Sequence, residues 1–555
     1  MERSRTLADV NFRQRWTMVA AVLGSSIVFL DGTIVNVALP AIGESLPHSI
    51  FSVLEGQTYV TSGYLATLAA LLILAGALSD FYGRRRVFAI GLAGFGLTSV
   101  LCGLSPSLEL LVVFRVLQGA AGALLVPCSL SIITATFDGP ARGRAFGIWA
   151  AATSATSVLG PTIGGLLIQA ISWRVAFLIN VPLVVLALYA TIKYVSESRD
   201  ENATGRFDWL GAVVVALAVG GLAFGAIRGQ AQQWHDPVSF AALIIGAIAL
   251  VAFPILMTKR ANPLIPLGLF RVRAFAMINL STLLIYGALY VTFGFQSLFL
   301  QGTLGYAAFA AGAVGLPIGL MLTFLSTRIG SLAGRLGGRR FLTAGPLVMA
   351  AGLLWLGRIP STSAPWTTGP IPPTDYWIDV FPGVILFGLG ISMVVAPLTS
   401  TLMSSVPVSN AGIASAINNA ISRVGQPLLS AVIFIVITAS FYSSLAAKVP
   451  GLDPNDPALR AAVQPLNQPV AGTDPAIVAA ARQASTDAYR EAVFVGAILL
   501  IGGAAVNFVG LRPASLTRRQ VTAGAAPADA HPDAHPDAHP DAPADAAAEV
   551  SAPPG

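Results

Sequence analysis

The stretch GALSDFYGRRRVF (76–88) returns in shortened form as SLAGRLGGRRFLT (331–343). In both, a long apolar run ends in small residues, a glycine precedes paired arginines, and another apolar run follows. A chain that crosses a bilayer and turns straight back needs such a tight basic turn, because lysine and arginine gather in cytoplasmic loops. A second echo pairs SVLGPTIGGLL (157–167) with SRVGQPLLSAV (422–432). Such repeats signal two similar helical bundles that rock about a site at their interface.

Composition agrees. Of 555 residues, 55% are hydrophobic and 10% charged, with a mean hydropathy of +0.74. Soluble chains carry about a quarter charged residues. A soluble enzyme, a nucleic-acid module and a disordered scaffold are therefore excluded. Lipid admits only helices or closed barrels. Barrel strands alternate apolar and polar over roughly ten residues; these runs stay apolar for about twenty, so they are helices.

Fourteen spans are expected, at 16–40, 56–79, 87–105, 108–137, 144–171, 175–194, 209–227 and 238–257, two within 274–327 separated by QGTLG (301–305), then 341–357, two from the charge-free stretch 380–422 separated by SSVPVSNAG (404–412), and 492–511. With the N-terminus in the cytoplasm, 23 of the 32 Lys and Arg fall on that side, 7 on the other, and Arg115 and Arg423 lie inside spans. That asymmetry implies an even number of spans with both termini cytoplasmic. The first apolar run is too long for a signal sequence and acts as an uncleaved span.

The implied domains are a cytoplasmic N-terminus (1–15), a six-helix bundle (16–196), an inserted pair of helices (207–258), a second six-helix bundle (274–512) and a cytoplasmic tail (513–555). The second bundle carries a long extracytoplasmic loop, 441–490, with six prolines and a short helix expected at 476–490. The tail is rich in Ala, Pro and Asp, with three Ala-His-Pro-Asp copies at 530–541, and is expected to be disordered. Its spaced histidines invite loose metal binding, but the composition reads as a solvated low-complexity tail, and no metal site is expected. Cys102 and Cys128 lie near opposite ends of their spans, so no disulfide is expected.

The informative residues are the ionisable groups within spans. Asp31 is the only carboxylate well inside one. Counted at the helical rise, it lies about 13 Å, and Arg115 about 10 Å, below the same surface. The two are expected to face each other. Burial favours the neutral acid and the arginine favours the carboxylate, so a rearrangement decides which form wins. That suits a proton carrier; a static ion pair is the other use of the same geometry.

In GPTIGG, Gly160, Gly164 and Gly165 clear one helix face and Pro161 removes a backbone hydrogen bond. Spacing alone does not choose between close packing and a hinge. Gly76, Asp80, Gly83 and Arg84 form a candidate cytoplasmic gate, although the arginines also set topology. Asn36, Tyr64, Gln118, Gln296, Asn418 and Gln426 are candidate lining for a central cavity. Arg423 has three options: the inner surface, Asn418, or an anionic group.

Together these elements resemble the major facilitator superfamily, and more narrowly its fourteen-span drug/proton antiporters of EmrB/QacA type. The resemblance runs from about residue 16 to 512. It rests on FLDGTIVNVALP (29–40), with Asp31 and Asn36; on the 76–86 loop, at Gly76, Asp80, Gly83 and Arg84; on LLVVFRVLQGAAGA (110–123), at Arg115, Gln118 and Gly119; and on VLGPTIGG, at Gly160, Pro161, Gly164 and Gly165. It implies an all-α membrane fold, rocker-switch alternating access, proton coupling through Asp31 tuned by Arg115, and an antiporter hinge in the fifth span. The single deep acid argues against a dedicated dication exporter.

The function expected is proton-coupled export of small amphipathic molecules across a bacterial inner membrane. The alternative is a dedicated transporter of one metabolite or self-made antibiotic on the same fold. A membrane sensor that no longer transports is a third class. The sequence carries no nucleophile elbow, phosphate loop or metal-ligand cluster, so an enzyme is not expected. No cofactor is implied beyond protons as coupling ion, and no nucleic-acid partner. A monomer is expected, and a periplasmic adaptor protein is a candidate partner for the outer loop.

Overall fold

The computed structural model describes residues 12–47, 53–200, 207–231, 234, 236–260, 262–369 and 371–511. The proposed tail therefore lies outside the described residues. Helices dominate because uninterrupted apolar sequence leaves the backbone no partner but itself. In chain order they are α1 (Phe12–Ser45), α2 (Val53–Tyr82), α3 (Arg84–Gly103), α4 (Leu108–Ala123), α5 (Leu125–Thr136), α6 (Gly139–Ala170), α7 (Val175–Leu178), α8 (Asn180–Tyr194), α9 (Trp209–Ala231) and α10 (Pro237–Thr258). They continue as α11 (Gly268–Arg271), α12 (Arg273–Leu298), α13 (Ala308–Ala313), α14 (Leu316–Leu336), α15 (Gly338–Leu356), α16 (Phe381–Ser404), α17 (Ala411–Lys448), α18 (Pro457–Ala462) and α19 (Pro475–Gly510).

The repeated basic turn has one backbone reason in both halves. Gly83 and Gly337 precede α3 and α15 with φ of +111° and +89°, a region that side chains with a Cβ avoid. Before α4, α10 and α19 a side chain starts the helix. Ser107 accepts from the Leu110 amide at 3.4 Å, Asp236 from Ser239 at 3.1 Å and Asp474 from Ala476 at 2.7 Å. In the last two a proline occupies the first helical position, where its missing N–H loses nothing.

Among the described residues, twelve stretches are long and apolar enough to cross a membrane, against fourteen expected. The difference lies in α6 and α15. Arginines open both helices, and α6 runs for 32 residues and α15 for 19. Both nevertheless pack among membrane-length helices, α6 on α1 and α14, α15 on α16 and α19.

The helices before α9 pack chiefly on one another, and so do those after α11. The two sets meet mainly where α2 crosses α17 and α6 crosses α14. Glycines make both crossings close. A Cβ on Gly76 would overlap Ala416 and the Gly412 carbonyl. One on Gly143 would press on the Gly330 carbonyl, and one on Gly147 on the Thr327 backbone. All these contacts fall toward the end that bears Arg84–Arg86 and Arg339–Arg340, so the two sets are closed together there.

The inserted pair, α9 and α10, is antiparallel, and α9 lies on both α2 and α17. Arg228 near the end of α9 is 2.5 Å from Asp236 before α10 and also donates to the Tyr59 hydroxyl on α2. The hydrogen bond from Arg228 is the main cause holding the Asp236 carboxyl down to about 2.

The loop expected over 441–490 is shorter. α17 continues to Lys448 and α19 begins at Pro475, so the short helix expected at 476–490 is the first part of the last long helix. Its charges did not end the helix because exposed residues outside the apolar zone tolerate them. The remaining link folds back: Leu466 is buried, its amide donates to Ser485 at 3.1 Å, and its carbonyl covers Gly302. Leu466 has φ +61°.

Cys102 and Cys128 are both free and buried. Maleimide is expected to label neither until the protein is denatured; labelling of the native protein would contradict this burial. With both replaced by serine, Gly143→Cys and Gly330→Cys together are expected to cross-link under mild oxidant. Absence of that cross-link, with each single variant folded, would mean that α6 and α14 do not meet there.

Candidate functional site

Asp31 sits midway along α1 with no solvent exposure. Such a carboxylate must be met by donors or lose its charge. Two helices supply three of them. Arg115 of α4 donates from Nη1 to Oδ2 at 2.5 Å, Gln118 of α4 from Nε2 to Oδ1 at 3.1 Å, and Asn180 of α8 from Nδ2 to Oδ1 at 3.2 Å. Ser99 of α3 accepts from both amides, at 2.7 Å from Gln118 and 3.1 Å from Asn180.

Arg115 is equally enclosed, 1% exposed. Its Nε donates to the Val60 carbonyl at 3.0 Å and Nη1 also donates to Gln118 Oε1 at 2.7 Å. Its guanidinium carbon stands 4.0 Å from the centre of the Tyr64 ring, a face with negative potential. The cation therefore keeps partners even when Asp31 is neutralised. Asn180 Oδ1 is buried without a partner.

Next to Asp31 on α1, Thr33 and Ile34 carry the glycine face of α6. A Cβ on Gly160 would strike Thr33 Oγ1, and one on Gly164 would strike Ile34. α6 thus touches the acid's neighbours at one end and α14 at the other. The side chain of Pro161 and the surroundings of Gly165 lie outside the described residues, although α6 runs through both.

At the arginine-rich end, Asp80 of α2 works across the seam. Its Oδ1 and Oδ2 accept from the amides of Gly412 and Ile413, at 3.1 and 2.9 Å, which open α17. A carboxylate there satisfies free helix N–H groups and the positive end of the helix dipole. Arg84 holds the same carboxylate at 2.9 Å and reaches over to the carbonyls of Val408 and Ser409. The clasp is buried, with Asp80 7% and Arg84 1% exposed. Gly83 packs on Glu197.

Between the two sets of helices lies a cavity of about 750 Å³. Phe29, Leu130, Trp149, Tyr286 and Phe309 form much of its apolar wall. Thr153, Ser154, Asn418, Asn419, Ser422 and Arg423 supply polar groups. The size suits a drug-like molecule, and mostly apolar walls with few polar groups suit variable ligands.

The cavity residues expected from sequence separate. Asn418 lines it and donates to Asn279 at 3.1 Å and Thr282 at 2.8 Å. Tyr64 and Gln118 belong instead to the Asp31–Arg115 network, because their helix faces turn into the bundle. Gln296 is buried on α12 away from the cavity wall. The side chains of Asn36 and Gln426 lie outside the described residues. Sequence reasoning missed Asn180 and Ser99. The available signal for Asn180 was an amide beside Pro182 in an otherwise apolar span; a lone serine such as Ser99 gives none.

Comparison with known proteins agrees with this architecture. Residues 21–430 match the family model described as Major Facilitator Superfamily. The chain is 34% identical over 438 residues to the multidrug resistance protein Stp of Mycobacterium tuberculosis, covering 79% of this chain and 78% of that one. It is 33% identical over 428 residues to the tetracenomycin C resistance and export protein of Streptomyces glaucescens, covering 76% of each. In three dimensions it is similar to the proton:xylose symporter XylE, with a TM-score of 0.54 at 14% identity over 89% of this chain and 94% of that one. A multi-pass helical membrane protein with this motif set and these relatives, the chain belongs to the Major Facilitator Superfamily.

Proposed function

We propose that the protein is a drug/proton antiporter of the fourteen-span type, exporting amphipathic small molecules across a bacterial inner membrane. α6 and α15 complete the fourteen spans, both termini are cytoplasmic, and residues 16–196 and 274–512 act as the two rocking bundles. The observation that carries this is the arrangement around Asp31. Fully buried in mid-helix, Asp31 is held by Arg115, Gln118 and Asn180, two residues along α1 from a wall of an apolar cavity. Two relatives named for drug or antibiotic resistance support export as the direction.

The chemistry runs through Asp31. As a carboxylate it accepts all three donors. A proton on Oδ2 makes that oxygen a donor, and a guanidinium cannot accept. Arg115 then leans on Val60 and Gln118, and α1 is released from α4. Gly160 and Gly164 ride on Thr33 and Ile34, so displacement of α1 passes to α6, and from α6 to its crossing with α14. The Asp80–Arg84 clasp on α17 opens in the same movement. An inward proton at a membrane potential of 100 mV contributes about 2.3 kcal/mol per turnover.

The dedicated single-metabolite transporter would use the same helices. Sparse polar groups on the cavity wall favour several ligands over one. The protein works as a monomer in this scheme, and an adaptor protein, if used, meets it at the link between α17 and α19.

In proteoliposomes, addition of an exported dye is expected to release protons from the wild type. Asp31→Asn is expected to abolish that release while still binding dye in detergent. Coupled release from Asp31→Asn equal to wild type would remove Asp31 from the mechanism. Asp80→Asn weakens hydrogen bonds to a charged group, each worth about 1.5–3 kcal/mol. Its transport rate is expected to fall with dye binding retained; an unaltered rate would show that the clasp does not control closure.

A further inference from the structure

Charge within the membrane-depth interior does not balance. Asp31 is matched by Arg115 and Asp80 by Arg84, each pair within 3 Å. Arg423, on α17, faces no described carboxylate within ion-pair distance. It is half-buried and lines the central cavity. Its guanidinium carbon lies 6.0 Å from the centre of the Phe29 ring, too far and too one-sided to satisfy five donors. On the same helix Asn419 and Ser422 also line the cavity, while Trp149 and Tyr286 supply aromatic surface.

We propose that Arg423 is the anion-recognition residue of the central cavity, and that the favoured cargo is an amphipathic aromatic carrying one carboxylate or similar acidic group. This rests on the cavity being the transport site. A planar fork of donors matches a carboxylate in two parallel hydrogen bonds. Asn419 and Ser422 stand beside it for further polar contacts, and the ring system of the ligand lies against Phe29, Trp149 and Tyr286. At about 750 Å³ the cavity holds one drug-sized molecule but not a two-chain phospholipid. Phe29 lies two residues before Asp31, so the bound anion sits beside the helix that carries the proton site. A proton moving inward and an anion moving outward compensate no charge, so the membrane potential drives both.

The test uses the full-length protein in nanodiscs of phosphatidylcholine. Binding of 1-pyrenebutyrate, its methyl ester and a pyrenebutyl-trimethylammonium cation is followed by energy transfer from tryptophan. The wild type is expected to prefer the carboxylate over both. Arg423→Gln is expected to weaken carboxylate binding by about 10- to 100-fold, the loss of a charge-assisted hydrogen bond, with the ester unchanged. Arg423→Lys is expected to recover part of the preference. Ester binding reports that the variants are folded and that the cavity is open to aromatics. Equal binding of all three probes by the wild type, or a full carboxylate preference in Arg423→Gln, would overturn the assignment. Phosphatidylglycerol discs at high salt are expected to leave the preference intact; its loss there would assign the cation to a lipid headgroup and also overturn it. None of these readouts requires transport, so they stand or fall apart from proton-coupled export.

Discussion

A carboxylate and a guanidinium at bilayer depth can persist only when each charge is met by partners. Removing one partner strands the other in a medium that cannot solvate it. Asp31 and Arg115 bring the set together from α1 and α4, with Gln118, Asn180, Ser99 and the Val60 carbonyl completing it. The order of the first bundle follows from this, since α1, α2, α3, α4 and α8 must converge on one point for every donor to find its acceptor. A purely apolar bundle could slide; one pinned through five helices cannot move without changing the protonation or the hydrogen bonding of its centre.

The second constraint is steric. Among the described residues, glycine brings helices of the two halves close at Gly76 and Gly412, at Gly143 and Gly330, and at Gly147 on Thr327. Each lies toward the arginine-rich end. Polar backbone exposed by the seam is met by Asp80, which caps α17 from the other half of the molecule. The same carboxylate therefore serves secondary structure and closure together.

Much of this was legible in the chain because lipid enforces simple rules. Long apolar runs, the basic turns and the lone intramembrane acid all have direct physical meaning, and counting along two helices placed Asp31 and Arg115 at matching depth. What was not legible depended on azimuth. Tyr64 and Gln118 sit at plausible depth for a cavity, but the rotation of α2 and α4 turns them onto the ion pair. Asn180 is one amide among several, and only packing shows that it reaches Asp31. The helical charges of 482–491 marked a loop in sequence because hydropathy reports the membrane boundary, not the end of a helix.

The inserted pair gives the molecule an asymmetry that its two-fold repeat lacks. α9 lies over both α2 and α17, one helix from each half, and Arg228 ties it to Tyr59. The opposite crossing, of α6 with α14, has no such cover among the described elements. Lipophilic compounds dissolve in the bilayer before they reach any water-filled opening. For them the protein has one shuttered flank and one bare one, and the bare one is formed by α6, whose glycines also pack on the neighbours of Asp31.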